Sequence, residues 1–471
     1  MANHRTYASV VPIRRRARTV LEKFLSLFVD IRAGEGALVL ALALNLFVLL
    51  GAYYVLKTAR ESLILSVHGA AVKTYVAALQ SVLLMIAIPV FGSIASRVNR
   101  LRLITFVLVF FIANLLMFFA GARIGMDTSI AFFVWVGIFS VMAVAQFWGF
   151  ANDLFYEQDG KRLFPLVGVG GSLGAVAGAA AAKPLIKLWG PFPLFLLSAA
   201  LLVVCIGLTA IAHRDAIARP RMAAATPDTG HAPLAASGSF RLVLSDRYLL
   251  LLALLMIILN VVNTSGEFLL SRLVTDAAHA AVGSGDAARA AQEKWIGAFY
   301  ADFFSWVNVI SLAMQAFLVY RIFRHIGVAK ALLILPAIAL GSYSLIAILP
   351  VLPIVRVFKI AENSTDYSIQ KTTWQALFLP TSREAKYKGK QVVDSFCMRF
   401  GDVITAGIVY VGTQLLWNIQ VFALLDIFLT IVWFVIVFAV MREYRIIRDK
   451  QKGAPPTDAV TAVPELSAKR A

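Results

Sequence analysis

"GAYYVLKTARESLIL", residues 51–65, closes the first long apolar run of the chain and places Lys57, Arg60 and Glu61 within about one helical turn. An ionised side chain at the middle of a hydrocarbon layer costs about 2.5–3.5 kcal/mol on insertion scales, so such groups face a polar interior, not lipid. The whole sequence supports that setting. Of 471 residues, 60% are hydrophobic and only 15% are charged, with a mean hydropathy of +0.80. A soluble domain carries about 25% charged residues. This composition excludes an ordinary water-facing surface and predicts an all-α membrane protein.

A membrane span needs about twenty mostly apolar residues. On that measure spans are expected at 35–56, 72–95, 101–121, 130–154, 163–186 and 191–212. A second set follows at 248–270, 295–320, 328–349, 351–379, 391–417 and 419–441. About twelve transmembrane helices result, in two six-helix bundles over 35–212 and 247–441. Residues 213–246, rich in Ala, Pro, Gly and Ser, read as a cytoplasmic linker. Residues 1–34 read as a basic tail with an amphipathic surface helix and no cleavable leader. Residues 442–471 read as a disordered cytoplasmic tail.

The net charge of +18 has a topological explanation. Basic residues cluster in alternate connections, at Arg97, Arg100 and Arg102, at Lys161 and Arg162, at Arg321, Arg324 and Lys330, and at Lys386, Lys388 and Lys390. Both tails carry the same excess. The positive-inside rule then puts both termini and these loops in the cytoplasm of a bacterial inner membrane protein. Nucleic-acid binding is not needed to explain the charge. Cys205 and Cys397 sit in apolar runs and supply neither a disulfide framework nor a metal site.

Two short basic turns echo each other, "FGSIASRVNRLRLITFVL" (91–108) and "YRIFRHIGVAKALLIL" (320–335). The first resembles the major facilitator loop signature through Gly92, Ser96, Arg97, Asn99 and Arg100, without its acidic residue. Two bundles related by an axis along the membrane normal are expected. In "GVGGSLGAVAGAAAA" (168–182), Gly170, Gly174 and Gly178 predict a small-residue ridge for close helix contact. A nucleotide loop would need a preceding strand.

Ionisable residues recur inside the spans. They include Asp153 beside the polar Asn152, Glu267, Asp302, and Arg399 with Asp402. The tenth span, "VRVFKIAENSTDYSIQKTTWQALFLP" (355–380), sets Arg356, Lys359, Asn363, Asp366 and Gln370 at helical intervals of three and four. Such a stripe of cations and amides suits an anionic, hydrogen-bonding solute. The competing reading is that Arg60–Glu61 and Lys359–Glu362 are closed ion pairs that hold helices together.

The opening stretch resembles the first-span signature of the ATP/ADP translocase (NTT-type) family of plastids and intracellular bacteria. Its basic-acidic pair falls on Arg60 and Glu61 and its earlier basic position on Lys57. A second match lies in "FWGFANDLFYEQDGKRLFPLVGVGGSLG" (147–174), through Phe147, Trp148, Phe150, Ala151, Asn152, Lys161, Arg162, Phe164, Pro165, Leu166, Gly168 and Gly170. In "NTSGEFLLSRL" (263–273) the family's seventh-span glutamate falls on Glu267. In 366–394 the match runs through Tyr367, Ser368, Pro380, Lys388, Gly389, Lys390 and Asp394. Where the family carries Asp-Pro and then Lys-Glu, this chain has Lys371-Thr372 and Trp374-Gln375. The resemblance implies that this lysine serves nucleotide transport, and Lys371 lies within one turn of its place.

The resemblance implies a secondary transporter of an anionic metabolite, with a nucleotide as substrate, exchanged or taken up by alternating access. The expected substrate-binding residues are Lys57, Arg60, Glu61, Asn152, Asp153, Glu267, Arg356, Lys359, Asp366 and Lys371. Arg97, Arg100, Lys161, Arg162, Lys388, Lys390 and Asp394 are expected at a cytoplasmic gate. The partners expected are the anionic solute and the lipid bilayer, with the chain as a monomer, and no cofactor or metal. Two other readings stand beside this one: a carrier of another anionic or lipid-like solute, and a non-transporting scaffold of the same fold. A membrane enzyme is disfavoured, because the six histidines (His4, His68, His213, His231, His279 and His325) form no pair at metal-ligand spacing.

Overall fold

The structure, a computed structural model, describes Thr19, Ser26 and residues 31–32, 34–95, 100–155, 157–217, 238–382 and 384–453. The described residues are mostly helical, with no strand among them. In chain order the helices are α1 (Gly36–Ala95), α2 (Arg100–Arg123), α3 (Ser129–Leu154), α4 (Glu157–Trp189), α5 (Pro193–Ile217) and α6 (Ser239–Ser245). Next come α7 (Arg247–Val282), α8 (Arg289–Ala313), α9 (Val319–His325), α10 (Val328–Ala331) and α11 (Ile334–Ile348). The last are α12 (Leu352–Thr365), α13 (Lys371–Leu377), α14 (Lys390–Val392), α15 (Met398–Gln414) and α16 (Ile419–Gly453). Segments with π-helical bonding join several of them, at Met314–Leu318, Asp366–Gln370, Ala385–Gly389 and Val393–Cys397.

Nine helices among the described residues are long and apolar enough to cross a membrane. The shortfall from twelve arises in three places. The first is α1, which runs for 60 residues, about 90 Å at the usual helical rise and so far longer than one ~30 Å crossing. It breaks at Gly69, whose φ of 73° with ψ of −175° is open to glycine and strained for other residues. The other two are the tenth and eleventh stretches. Their polar residues and π segments divide them into pieces too short or too polar to count, as the long polar run at 351–379 foreshadows.

The chain forms two compact units. The first comprises Met1–Val67, Ala87–Asp228 and Ala278–Asn308, and the second His68–Ile86, Thr229–Ala277 and Val309–Ala471. In the first, α2 packs along α3 and α5. Phe111, Phe132, Trp135, Phe139 and Phe195 fill the space between them, with the Trp135 and Phe139 rings stacked at 5.4 Å. The small-residue ridge also lies here. A Cβ added at Gly170, Gly174 or Gly178 would fall 2.3, 2.1 and 2.3 Å from the carbonyl oxygens of Ala43, Phe47 and Gly51. Backbone meets backbone along that ridge, which only glycine permits. Asn45 donates to Thr209 Oγ1 at 2.8 Å close by, and Cys205 is buried beside them. In the second unit α11 packs along both α12 and α16.

Two boundaries differ from the sequence reading. Residues 442–453 continue helix α16 and are not an irregular tail. "MREYRIIRDKQK" contains no helix breaker before Gly453, and the Pro pair follows at 455–456. The expected linker also has helical ends, with α5 reaching Ile217 and α6 covering Ser239–Ser245. Residues 218–237 and the expected surface helix within 1–34 lie almost wholly outside the described residues.

Candidate functional site

Each unit carries a polar cluster. In the first, α1 delivers Lys57, Arg60 and Glu61 on successive turns. The Lys57 ammonium stands 4.2 Å from the Phe304 ring centre and 5.4 Å from that of Tyr54. The Arg60 guanidinium lies 4.3 Å over Phe133. Cations over aromatic faces gain roughly 0.5–2 kcal/mol each, more as water is removed. Arg60 also donates to Glu61 Oε1 through Nη2 at 2.5 Å and Nε at 3.1 Å. The arginine side chain keeps 13% of its exposure and the glutamate 2%. The ion-pair reading is thus met, but the pair is lopsided, with its cationic end nearer the surface. Ser62 donates to the Glu293 carbonyl at 2.6 Å, and Lys183 pairs with Asp302 at 2.9 Å.

In the second unit the cluster is buried. The Lys359 side chain has no exposure and donates to Glu362 Oε2 at 2.8 Å and to Asn263 Oδ1 at 3.4 Å. Its ammonium lies 3.9 Å from Glu267 Oε1, which also accepts from Asn363 Nδ2 at 2.9 Å. Tyr343 donates to the Val262 carbonyl at 3.0 Å and stands 3.4 Å from Glu362 Oε2. Gly266 makes this approach feasible, since a Cβ there would sit 2.2 Å from the Tyr343 oxygen and 2.9 Å from the Lys359 nitrogen. A narrow cavity adjoins the cluster, lined in part by Asn263, Tyr343, Glu362, Asp366 and Trp433. It has room for about one water molecule. Across the same unit, Asp402 accepts from Ser81, Asn260 and Thr264 at 2.5, 2.7 and 3.0 Å.

The structure therefore brings together Lys57, Arg60 and Glu61 in one cluster and Glu267 and Lys359 in the other, with Asp366 at the edge of the cavity. Arg356 is half-buried one turn before Lys359. The predicted stripe holds as far as Asp366, where the π segment takes over and shifts the phase. Lys371, Asn152 and Asp153 are exposed, with Lys371 near enough to Asp366 to act on it electrostatically. Arg162 forks onto Glu35 at 2.6 and 2.8 Å and reaches Asp159 at 3.1 Å. Lys388 pairs with Glu384 at 2.6 Å, and Lys390 with Asp394. Asp394 also accepts from Trp374 Nε1 at 2.7 Å. Arg97 lies outside the described residues, as do the side chains of Arg100 and Lys161.

Sequence reading missed the aromatic partners Phe133 and Phe304, which come from distant helices. It also missed Asp426, a lone carboxylate in "ALLDIFLT" whose place inside a span was the available signal. Among the described residues no group of His, Cys, Asp and Glu could hold a metal ion.

Bundled helices with charged interiors define a multi-pass membrane protein with the fold of major facilitator-type transporters. A crystal structure of a POT family transporter in complex with 5-aminolevulinic acid superposes with a TM-score of 0.60 at 14% identity, covering 86% of this chain and 96% of that one. The crystal structure of the nucleoside transporter NupG gives 0.55 at 14% identity, over 86% of this chain and 98% of that one. These likenesses establish the fold alone. In sequence, residues 130–349 match the model of the TLC ATP/ADP transporter family. That is the family the motifs resemble. The chain is 25% identical over 304 residues to ADP,ATP carrier protein 1 of Chlamydia muridarum, covering 56% of this chain and 54% of that protein. It is 24% identical over 304 residues, with the same coverage, to the protein of that name from Chlamydia trachomatis. The chain thus spans about half the length of these curated relatives.

Proposed function

We propose that the protein is a secondary carrier that moves an anionic metabolite, a nucleotide of the ATP/ADP type, across a bacterial inner membrane. The observation that carries this reading is the Lys57–Arg60 pair. Both cations lie against aromatic rings, and Arg60 pairs with Glu61. A surplus of positive charge with a forked guanidinium suits a phosphate group. Aromatic faces beside it suit a planar base. The relatives named for ADP and ATP support the same substrate class.

In this reading both termini are cytoplasmic, and the 35–212 and 247–441 halves alternate in exposing the solute to either side. Arg162, Lys388, Lys390 and Asp394 act at the cytoplasmic face. Their ion pairs would open and close as the carrier turns over. Lys371, exposed on α13, meets the solute at the cavity mouth or not at all.

Replacing Arg60 with Ala in purified protein reconstituted into proteoliposomes is expected to abolish nucleotide uptake while the protein still folds. Unchanged uptake by Arg60→Ala would refute the assignment. A second reading, a carrier of another anionic or lipid-like solute, draws on Trp374. It stands near the family's tenth-span lysine and is committed to Asp394. Thermal shifts with phosphate esters and lipids beside nucleotides separate the two readings, since a bound ligand raises stability.

A further inference from the structure

Asp426 lies in the middle of α16 with no exposure at all. Its Oδ2 accepts from Ser265 at 2.9 Å, and its Oδ1 has no hydrogen-bond partner. Among the described residues no Lys, Arg or His forms an ion pair with it. Glu362, the other buried carboxylate of the cluster, has the Lys359 ammonium against it, and the half-buried Glu267 has the Asn363 amide. The groups facing Asp426 from the neighbouring helices are Ser265 on α7, Tyr343 on α11, and Lys359 and Glu362 on α12. Glu362 Oε1, which borders the cavity, is likewise without a partner.

One ammonium is thus set among three carboxylates. Lys359 is already engaged by Glu362 and lies near Glu267. A charged Asp426 would be a further anion in a region shielded from water, at a cost of several kcal/mol. A neutral acid in the same place costs no more than an imperfectly paired hydroxyl. The unpartnered Oδ1 is the atom on which a proton would sit. That proton would come from bulk water and return to it, leaving the carboxylate behind. With the proton in place the cluster carries one negative charge fewer, so an anion bound by the carrier meets less repulsion from it. By reciprocity, the anion then tightens the proton.

We propose that Asp426 is a proton-binding carboxyl whose protonation favours binding of the anionic solute. The second half of this proposal rests on the carrier reading, and the first does not. The protonation site is tested by infrared difference spectroscopy of the purified protein against Asp426→Asn, which keeps the shape and the acceptor for Ser265. The expected result is a protonated-carboxyl stretch at neutral pH that titrates away on raising pH and is missing from the variant. The wild type showing no such band beyond that of the variant would overturn the site. Removing the Ser265 donor weakens support for the carboxylate, so Ser265→Ala should move the titration midpoint upward. An unmoved midpoint counts against the site even if Asp426→Asn does not fold.

The coupling is tested with ATP as the probe. Binding to the wild type should weaken as pH rises, by up to about tenfold per pH unit for one linked proton, and Asp426→Asn should lose that dependence. An identical pH dependence in both proteins would overturn the coupling. ATP binding at no pH would overturn both the coupling and the nucleotide assignment, with the infrared result still deciding the protonation site.

Discussion

In the first unit the ionic residues lie against aromatic rings, whereas in the second they lie against one another. Lys57 and Arg60 outnumber Glu61 and keep their charged ends near the surface of their cluster. Lys359 is sealed among Glu362, Glu267 and Asn263, and is itself outnumbered by carboxylates. The first arrangement puts two cations beside one carboxylate, which suits recognition of an anion. The second turns its charges on one another, with one oxygen each of Glu362 and Asp426 left without a partner, and stakes the stability of its unit on that network. Charged residues inside spans therefore do not form one class. Exposure and the sign of the surplus charge separate those that meet a solute from those that hold the protein together or carry a proton.

Substitutions can sharpen this contrast. The largest effect is expected from Lys359→Ala, which leaves Glu362 buried without its cation and should destabilise the protein by about 3–5 kcal/mol. Chemical unfolding in detergent measures this, and adding Glu362→Gln to the variant should restore much of the loss. Next is Gly266→Ala, whose methyl would enter the space of Tyr343 and Lys359. A cost of about 1–3 kcal/mol is expected from the same assay. In the first unit Phe304→Leu, at a buried ring packed on Tyr54, Tyr300 and Phe303, should cost less than about 1.5 kcal/mol of stability. Removing the ring beneath Lys57 alters a cation–π contact worth about 0.5–2 kcal/mol, so the change should appear in the KM of uptake. A large stability loss there, with transport intact, would erase the distinction between the clusters. Trp374→Phe removes one donor to Asp394 and should cost about 1 kcal/mol. The smallest effect belongs to the exposed Asn152, where Ala should change stability by less than about 0.5 kcal/mol.

Much of this architecture was legible from the chain. Apolar runs of the right length mark most of the helices, and the spacing of Gly170, Gly174 and Gly178 announces the backbone contact with Ala43, Phe47 and Gly51. The pairs Arg60–Glu61 and Lys359–Glu362 were readable because both are local, one or three residues apart. Contacts across long separations were not readable. Nothing in the neighbourhood of Lys57 points to Phe304, nor does Arg60 point to Phe133, since those rings arrive through packing. The π segments also escaped, because a single-residue insertion in the bonding pattern leaves no mark on hydrophobic period. It changes which of Asp366 to Gln370 face the cluster. Asn152, which matches the family motif, and its neighbour Asp153 occupy the exposed end of α3.

The carrier assignment is tested most directly by counterflow with the wild-type protein. Proteoliposomes loaded with unlabelled ATP and diluted into a trace of labelled ADP should accumulate label transiently above equilibrium, and excess external ATP should abolish the peak. No accumulation, together with no thermal stabilisation by either nucleotide, would contradict the account.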